Sequence, residues 1–430
     1  MQITLSRWRL AAVAIAAFLL SAVVFIVTMN FVTGEKEVRR KVTRLYELED
    51  PRFANELGVL LGPPFLPGNS AQILLNGDQI FPAMLGSIEH AEHSITFETY
   101  IYWSGAIGQQ FADALSQAAR RGVKTHVLLD WVGSAKMDEA MLDSMAEAGV
   151  HIRKFHPPHW SHLGQMNNRT HRKLLIVDGK VGFTGGVGIA PAWTGNAQDP
   201  DHWRDTHVRI EGPAVAQMQA VFLDNWIKVT GDVLHGPEFF PPLAQRGESH
   251  AQMFSSSPSG GSESMQLMYL FAIAAATRTI DLSAAYFVPD ELTTHALVEA
   301  MRRGVKLRVI VPGKHIDSDT VRSASKAAWG PLLLAGATIA EYEPTMFHCK
   351  VMIVDGLLVS LGSTNFDNRS FRLNDEATLN ILDRRFAAEQ TRIFEADLKK
   401  SQRVGFVEWS NRPLREKLIE RFTSVVSSQL

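Results

Sequence analysis

The sequence is poor in cysteine and in net charge. Cys349 is the one cysteine in 430 residues, which excludes an intramolecular disulfide and zinc sites of the Cys₄ or Cys₂His₂ type. Lys plus Arg number 43 and Asp plus Glu number 45, so the formal net charge is −2. Proteins whose main role is to coat nucleic acid carry a strong basic excess, and this balance argues against that class. The sequence also lacks a P-loop, a Gly-x-Ser-x-Gly hydrolase motif and the Asp-rich motif of metal-dependent CDP-alcohol enzymes.

The length and composition indicate a globular protein with more than one domain. Apolar residues make up 46% and charged residues 20% of the chain, which is enough to bury a sizeable core. At about 150 residues a domain, 430 residues correspond to roughly two or three domains.

The N-terminal segment carries a long run without charge, from Leu10 to Gly34. About 20 apolar residues cross the hydrocarbon of a bilayer as a helix, so this run predicts a retained membrane anchor. The alternative is a cleaved signal peptide, whose apolar stretch is usually shorter, and no clear cleavage site follows Val27. More Lys and Arg residues follow the run than precede it, which favours a cytoplasmic catalytic body.

The rest of the chain contains a repeat. A strand-like segment, an Ala-rich helical stretch, an Arg-Arg-Gly-Val-Lys pentad and a second strand follow Ser94, and the same order follows Thr279. This order makes a βαβ unit, so we expect a largely parallel sheet between helices in each half. The predicted fold class is α/β, with two duplicated α/β/α domains packed about a pseudo-twofold axis and preceded by one transmembrane helix. The predicted boundaries are 1–34 for the anchor, 35–69 for a juxtamembrane helix and loop, 70–235 for the first domain, 236–262 for a linker and 263–430 for the second domain.

Each half carries the motif His-x-Lys-x₄-Asp-Gly. Residues two apart on a strand point to one face, so each half should present one imidazole and one ammonium group on the same surface. The four residues before the aspartate are apolar and anchor the strand, and Asp-Gly then turns the chain. The candidate catalytic residues are His171, Lys173, Asp178, His348, Lys350 and Asp355.

Two facing motifs suit a phosphodiester. The lysines offset the phosphate charge, one histidine attacks phosphorus, and the other protonates the leaving alcohol. Because the positive charge is already supplied by side chains, neither a metal nor a cofactor is predicted. His151, His156, His159 and His162 form a histidine-rich segment, which we interpret as a flank of the cleft and not as a metal site.

The paired motifs resemble those of the phospholipase D superfamily, and their context resembles its bacterial cardiolipin synthase branch. The similarity extends over about residues 70–400, and five further stretches support it. They are Trp203-Arg-Asp-Thr-His-Val-Arg-Ile-Glu-Gly-Pro, Tyr286-Phe-Val-Pro-Asp, Val311-Pro-Gly-Lys-His-Ile-Asp, Pro344-Thr-Met-Phe-His-Cys-Lys and Gly362-Ser-Thr-Asn-Phe-Asp-Asn-Arg-Ser-Phe.

The resemblance implies a two-step reaction through a phosphohistidine. A histidine attacks a phosphatidyl donor and releases one alcohol, and a second alcohol then attacks the intermediate. We assign attack to His171 and acid–base work to His348, although from the sequence alone the two roles could be exchanged. Lys173 and Lys350 bind phosphoryl oxygens. The motif aspartates are expected to organise their turns and not to contact substrate.

The resemblance also implies residues that support the histidines. Each imidazole needs a carboxylate on its other nitrogen to fix the tautomer. Asp205 and Glu376 match the orienting acids of the family by position, 34 and 28 residues after the motif histidines of their own halves. Ser363 and Asn365 are the candidate phosphate-binding residues. The first half departs from the pattern, because Gly188 stands where the second half has Asn365.

The function that the resemblance implies is that of a membrane-bound cardiolipin synthase. Such an enzyme transfers a phosphatidyl group between two phosphatidylglycerol molecules and releases glycerol. The alternatives are a phospholipase D-type hydrolase, a transphosphatidylase with another headgroup, a nuclease of the same superfamily and a non-catalytic scaffold. The expected partners are a phospholipid substrate and the membrane, without nucleic acid, and the expected location is the bacterial inner membrane, as a single-pass protein.

Overall fold

The computed structural model describes residues 7–31, 38, 40–157, 167–258, 264–417 and 420. The helices are α1 Arg7–Phe31, α2 Pro51–Leu61, α3 Asn76–Glu89, α4 Ala106–Arg120, α5 Glu139–Glu147, α6 Ala214–Thr230, α7 Met265–Ala275, α8 Glu291–Arg302, α9 Asp319–Leu334, α10 Asn368–Arg372, α11 Arg384–Leu398 and α12 Phe406–Ser410.

The strands are β1 Leu66–Leu75, β2 Ser94–Thr99, β3 Lys124–Asp130, β4 His151–Phe155, β5 Arg169–Thr170, β6 Leu174–Val177, β7 Val181–Gly185, β8 Thr206–Glu211, β9 Ser249–Ser256, β10 Thr279–Ala284, β11 Phe287–Val288, β12 Lys306–Pro312, β13 Thr338–Tyr342, β14 Lys350–Val354, β15 Leu358–Gly362, β16 Phe366–Asp367, β17 Asn374–Leu382 and β18 Ser401–Val404.

Helix α1 lies within the predicted anchor. Its side chains are described at residue 8 and over residues 11–25, and Phe18 is 72% exposed. Over the described part of the chain, no helix is both long enough and apolar enough to span a membrane. Residues 1–6 and 32–34 of the predicted anchor lie outside the described residues. The transmembrane helix therefore stays a prediction.

One sheet runs through the whole body. Within the described residues it has sixteen strands, and the antiparallel pair β1–β9 lies at its middle. Outward from β1 the order is β8, β7, β6, β2, β3 and β4, whereas outward from β9 it is β17, β15, β14, β10, β12, β13 and β18. The same order of elements is thus met in both directions, and the mixed α/β class predicted from the sequence is confirmed.

The expectation of a largely parallel sheet is wrong. Among the described residues, parallel pairing in this sheet joins the outer βαβ strands, β2–β3–β4 in one half and β10–β12–β13 in the other, and β5 with β17, and a separate two-stranded sheet pairs β11 with β16 in parallel. The motif strands form hairpins with their successors, β6 with β7 and β14 with β15, and hairpin strands are antiparallel. Strand β9 lies inside the stretch 236–262 that was predicted to be a linker, where it joins the two halves.

The apolar core is divided into three main clusters. One lies in each half, around Phe111 in the first and Trp329 in the second. The third contains residues of both halves, including Phe222 of α6 and Leu379 of β17. This shared cluster packs against the middle of the sheet, so the two halves are bound together by apolar burial as well as by strand pairing.

The motif aspartates hold the turns. Asp178 and Asp355 both adopt φ +53°, each is followed by a glycine at φ +60°, and each begins the tight turn after its motif strand. The Asp178 carboxylate accepts three backbone N–H groups, at residues 92, 93 and 94, over 2.7–3.0 Å to the nearer oxygen. Asp355 accepts the N–H groups of residues 277, 278 and 279 over 2.7–2.8 Å. Each carboxylate therefore ties its turn to the start of the neighbouring strand.

Replacing Asp178 by alanine is expected to lower the free energy of unfolding by about 2–4 kcal/mol, because buried N–H groups lose their acceptor. Asp178→Asn should cost less, since asparagine keeps one acceptor oxygen and tolerates a positive φ. Urea denaturation of the detergent-solubilised protein measures both, with exposed Asp201→Ala as the control. An unchanged midpoint in Asp178→Ala would contradict this role.

Candidate active site

Each motif histidine is held by the backbone of the other half. His171 lies just before β6, and its N–H donates to the carbonyl of Asp375 on β17 over 2.9 Å. His348 lies just before β14, and its N–H donates to the carbonyl of Arg204, ahead of β8, over 2.8 Å. Both side chains are largely buried, at 11% and 9% exposure. The two motif segments therefore meet where the halves join.

The orienting carboxylates pair crosswise. Nδ1 of His171 lies 3.0 and 3.1 Å from the two carboxylate oxygens of Glu376, which belongs to the second half. Nδ1 of His348 lies 2.7 Å from Oδ2 of Asp205, which belongs to the first half. Counting along the sequence related each acid to the histidine of its own half, but the structure brings each to the histidine of the other.

This pairing leaves Nε2 of His171 without a partner among the described residues, whereas Nε2 of His348 lies 3.1 Å from Nζ of Lys350. A neutral imidazole that donates Nδ1–H to a carboxylate carries its lone pair on Nε2. Burial lowers the pKa of His171 to about 4, although Glu376 acts against this shift. Burial and the neighbouring Lys350 charge also lower the pKa of His348. By these shifts both histidines are neutral at pH 7, the form required for attack on phosphorus.

The carboxylates are ionised in spite of their burial. Burial alone would raise the pKa of Glu376, but its pairing with His171, together with Lys173, lowers it to about 2. Burial acts against ionisation of Asp205 too, and His348 outweighs it, so the pKa of Asp205 is lowered. Each imidazole therefore keeps a fixed negative charge on its inner nitrogen.

The two lysines are buried beside the histidines. Nζ of Lys173 donates to the carbonyl of His171 over 2.9 Å, and Nζ of Lys350 donates to the carbonyl of His348 over 2.8 Å. Burial and the charge of Lys350 lower the pKa of Lys173 to about 7, and burial lowers that of Lys350. Because two ammonium groups in a dry site repel each other, an anion between them is stabilised.

A cavity of about 320 Å³ opens over these groups. His171, Lys173 and His348 line it together with aromatic side chains, among them Tyr100 and Trp203. The rings of Tyr100 and His171 lie 5.2 Å apart between centroids, and those of Trp203 and His348 lie 5.4 Å apart. This volume suits a phosphate with a small alcohol and leaves no room for two acyl chains.

The two candidate phosphate-binding residues lie in different places. Asn365 lines the cavity, and its side-chain oxygen is buried without a partner among the described residues. Ser363 is fully buried below the cavity, where its hydroxyl donates to Glu376 and accepts the N–H of Ala377. Ser363 therefore positions the orienting carboxylate, and this placement gives it no contact with the cavity.

The departure at Gly188 has a steric cause. A Cβ at this position would approach the Cβ of Ile101 to 2.7 Å and the ring of Trp193 to 3.1 Å. A Cβ at Gly186, the counterpart of Ser363, would lie 2.2 Å from Oδ1 of Asp205. The indole N–H of Trp193 donates to Asp205 over 3.0 Å, as the Ser363 hydroxyl donates to Glu376. The first half thus supports its acid with an indole.

Comparison with known proteins agrees with this geometry. The family profile described as cardiolipin synthase, PLD-like domain matches residues 84–226 and 269–398. Cardiolipin synthase 1 of Bacillus cereus is 34% identical over 379 residues, which is 86% of this chain and 74% of that protein. Cardiolipin synthase of Geobacillus kaustophilus is 35% identical over 370 residues, or 85% and 74% of the two chains.

The chain belongs to the cardiolipin synthase family of phospholipase D-like proteins. The resemblance inferred from the paired motifs is therefore confirmed. The crystal structure of phosphatidylserine synthase from Haemophilus influenzae has a similar fold, with a TM-score of 0.67 and 13% identity over 88% of this chain and 99% of that one.

Several residues of this cardiolipin synthase-family site were not singled out from the sequence. Arg169, Tyr286, Asp317 and Arg369 line the cavity, yet they come from four separate places in the chain, namely β5, the loop after β10, the loop after β12 and helix α10. Tyr286, Asp317 and Arg369 belong to stretches that carried the resemblance, which was the available signal. Of the histidine-rich segment, His159 and His162 lie outside the described residues.

Crosswise pairing makes a prediction that own-half pairing does not. Since Glu376 favours the charged form of His171, Glu376→Gln should lower the pKa of His171 further and leave His348 unchanged. Asp205→Asn should do the reverse. Each variant should also lose about 10²–10⁴-fold in turnover, the range seen when the orienting acid of a catalytic histidine is neutralised.

The measurement is an NMR titration of the protein with ¹⁵N-labelled imidazoles, using His171→Ala and His348→Ala to assign the signals. Asp201→Asn, at an exposed position, is the matched control. A response of His348 to Glu376→Gln would contradict the crosswise arrangement.

Proposed function

We propose that the protein is a phosphatidyltransferase that joins two phosphatidylglycerol molecules into cardiolipin and releases glycerol. The observation that carries the proposal is the pair of crosswise-oriented imidazoles with two buried ammonium groups beside one cavity. The names of the relatives point to the same product. The strand order further supports descent of the two halves from one phospholipase D-like domain, related by a pseudo-twofold axis at the β1–β9 contact.

The first step forms a phosphohistidine. The Nε2 lone pair of His171 forms a bond to the phosphorus of the donor, and the bond from phosphorus to the glycerol oxygen breaks. His348 gives its proton to that oxygen, and neutral glycerol leaves. Lys173 and Lys350 balance the charge on the phosphoryl oxygens as it builds up in the transition state.

In the second step His171 is the leaving group and His348 is the base. A hydroxyl of a second phosphatidylglycerol gives its proton to His348 while its oxygen bonds to phosphorus. The bond between phosphorus and Nε2 of His171 breaks, which restores both histidines. Water in place of this hydroxyl would yield phosphatidic acid, so exclusion of water from the cavity decides between transfer and hydrolysis.

The proton on His348 is supplied as the donor binds. Burial and Lys350 keep the pKa of His348 below its usual value. A bound phosphodiester brings a negative charge next to the imidazole, and a neighbouring opposite charge raises the pKa of a histidine. The acid is therefore formed in the complex that uses it.

Purified full-length protein with phosphatidylglycerol vesicles and EDTA should form cardiolipin and glycerol, as detected by mass spectrometry and a glycerol assay. His171→Ala and His348→Ala should each reduce the rate at least about 10³-fold, because each removes a participant in the chemistry. Phosphatidic acid without cardiolipin would identify a hydrolase and overturn the proposal.

The same variants assign the histidines. With His171 as nucleophile, His348→Ala should still accumulate some phosphatidyl-enzyme from a donor with a good leaving group, and His171→Ala should accumulate none. Acid quenching, digestion and mass spectrometry would locate the phosphoryl group. A modified peptide that contains His348 would exchange the two assignments.

We further propose that the uncharged run from Leu10 to Gly34 holds the catalytic body at the bacterial inner membrane, on the cytoplasmic face. The exposed apolar side chains of α1, such as Phe18 and Phe25, support this proposal. A lipid substrate then diffuses within the bilayer to a cleft that stays close to its headgroup.

Full-length protein is expected to remain in the membrane fraction after an alkaline carbonate wash. Phe18→Arg combined with Leu20→Arg should release it, because each charge costs about 2.5–3.5 kcal/mol at the middle of a membrane helix. Glu89→Arg, on an exposed helix end, is the matched control. Protease treatment of sealed spheroplasts should leave the body intact, whereas its digestion would place it outside.

A further inference from the structure

Two carboxylates line the active-site cavity without serving either histidine, Asp317 and Asp367, and Asp367 caps helix α10 by accepting the N–H of Ser370. Asp317 lies in the loop between β12 and α9 and is exposed in that cavity. The hydroxyl of Tyr286 donates to it and lies 2.8 Å from both carboxylate oxygens. Among the described residues, no lysine or arginine nitrogen lies within 4.0 Å of Asp317. Its charge is therefore not neutralised by a direct ion pair within that part of the chain.

An unpaired carboxylate is unexpected beside a phosphate site. The basic side chains that line the cavity, Lys173, Arg169 and Arg369, favour an anion. A second negative charge in the cavity weakens phosphate binding, since like charges repel strongly where water is scarce. Such a group is useful only where it contacts another part of the substrate, one that donates hydrogen bonds.

Asp317 belongs to the His348 side of the cavity. Burial is the main cause that lowers the pKa of His348, and the negative charge of Asp317 is among the groups that oppose it. Asp317 acts in the same sense on Lys350. The residues that affect His171 most strongly are instead Glu376 and Lys173. Asp317 and His348 line the same cavity, so an alcohol that exchanges its proton with His348 there is close to Asp317 as well.

A glycerol group occupies the region next to His348 in both steps of the proposed reaction. In the proposed reaction the alcohol that leaves in the first step is glycerol, and the alcohol that attacks in the second is the glycerol of another headgroup. Both carry further hydroxyl groups next to the reacting oxygen. An ionised carboxylate accepts hydrogen bonds and offers about four lone-pair sites, so after its contact with Tyr286 it can still accept from two hydroxyls.

We infer that Asp317, positioned by Tyr286, accepts hydrogen bonds from the neighbouring hydroxyl groups of the glycerol headgroup and so selects polyol alcohols over simple alcohols and water. The inference rests on the proposed function for the identity of the two alcohols. Asp317 is thus a specificity residue that touches substrate, and Tyr286 is a positioning residue that acts through it.

The test measures how one phosphatidyl-enzyme divides between competing acceptors. Full-length protein acts on phosphatidylglycerol vesicles in the presence of equal concentrations of ¹³C-glycerol and 1-propanol. Mass spectrometry gives the ratio of ¹³C-phosphatidylglycerol to phosphatidylpropanol. This ratio does not depend on the amount of folded enzyme or on the rate of the first step.

The wild-type protein should prefer glycerol. Asp317→Asn should lower the product ratio at least about tenfold, since a hydrogen bond to a charged acceptor contributes about 1.5–3 kcal/mol. Tyr286→Phe should lower it in the same direction by less. Asp319→Asn makes the same charge change two residues further on, outside the cavity lining, and should leave the ratio unchanged.

Two results would overturn the inference. One is an unchanged ratio in Asp317→Asn, including the case in which transfer to both acceptors slows equally, which would mean that Asp317 acts on His348 alone. The other is a wild-type preference for added ethanolamine that is lost in Asp317→Asn, which would make the site an ammonium site. If Asp317→Asn fails to fold, Tyr286→Phe gives the same comparison.

The inference and the proposed function fail separately. A ratio that depends on Asp317, in a protein that makes no cardiolipin from phosphatidylglycerol, would support the inference and reject the function. Cardiolipin synthesis with a ratio that is insensitive to Asp317 would do the opposite.

Discussion

The crosswise hydrogen bonds between imidazole and carboxylate are the interactions on which the site depends. A buried carboxylate without a partner would take up a proton and lose its charge. Glu376 and Asp205 stay ionised because His171 and His348 donate to them from the opposite half. Neither half therefore holds a complete dyad by itself. The continuous sheet and the shared apolar cluster lie where the two halves make these crosswise hydrogen bonds. They fix the distance between each imidazole and its carboxylate.

The two dyads reach the same arrangement with different side chains. Glu376 is one methylene longer than Asp205, and Ser363 holds it by a hydroxyl. Asp205 is held by the indole of Trp193, and the glycine at position 186 leaves room for its carboxylate. The residue between the motif histidine and lysine differs in the same way, since Arg172 is a buried cation and Cys349 a buried thiol.

The two halves differ most clearly around Arg172 and Cys349, on the side of each motif segment that faces away from the cavity. Arg172 is fully buried and donates to the carbonyl of Val221 over 2.7 Å and to Asp224 over 3.0 Å. Cys349 packs against the carbonyl of Arg204, and burial raises the pKa of its thiol to about 12. The duplicated motif therefore constrains the groups that meet substrate, while the opposite face of each segment is free to vary with its own half of the core.

The parts of the molecule that were predictable from the sequence are those with a local pattern. Consecutive residues determine the strand patterns around Ser94 and Thr279 and the Asp-Gly turns. The family is predicted by the repeated motif. The direction of the strands beyond the βαβ units was not predictable, because it depends on which strands pair across long separations. Strand β9 was hidden in a turn-rich stretch for the same reason.

The crosswise pairing and the place of Asp317 are also non-local. Glu376 is 205 residues from His171. A contact that forms only when the two halves of the chain pack together leaves no pattern in the spacing of residues along the sequence. The resemblance marked the stretch that ends at Asp317 but gave it no role.

The pKa shifts of the buried site residues have a consequence for the order of events in the proposed reaction. Burial favours neutral forms of His171 and His348 and lowers the pKa of Lys173 to about 7. The positive charge of the site is therefore incomplete until an anion enters. A phosphodiester raises the pKa of each of these groups, and the proton that His348 needs is taken up with the donor. An alcohol without phosphate does not produce this change, so the acid is available only when there is a bond to phosphorus to break. The second step needs the opposite state, a neutral His348, and the first step leaves it so by giving its proton to glycerol. Each half-reaction thus prepares the protonation state that the next one uses.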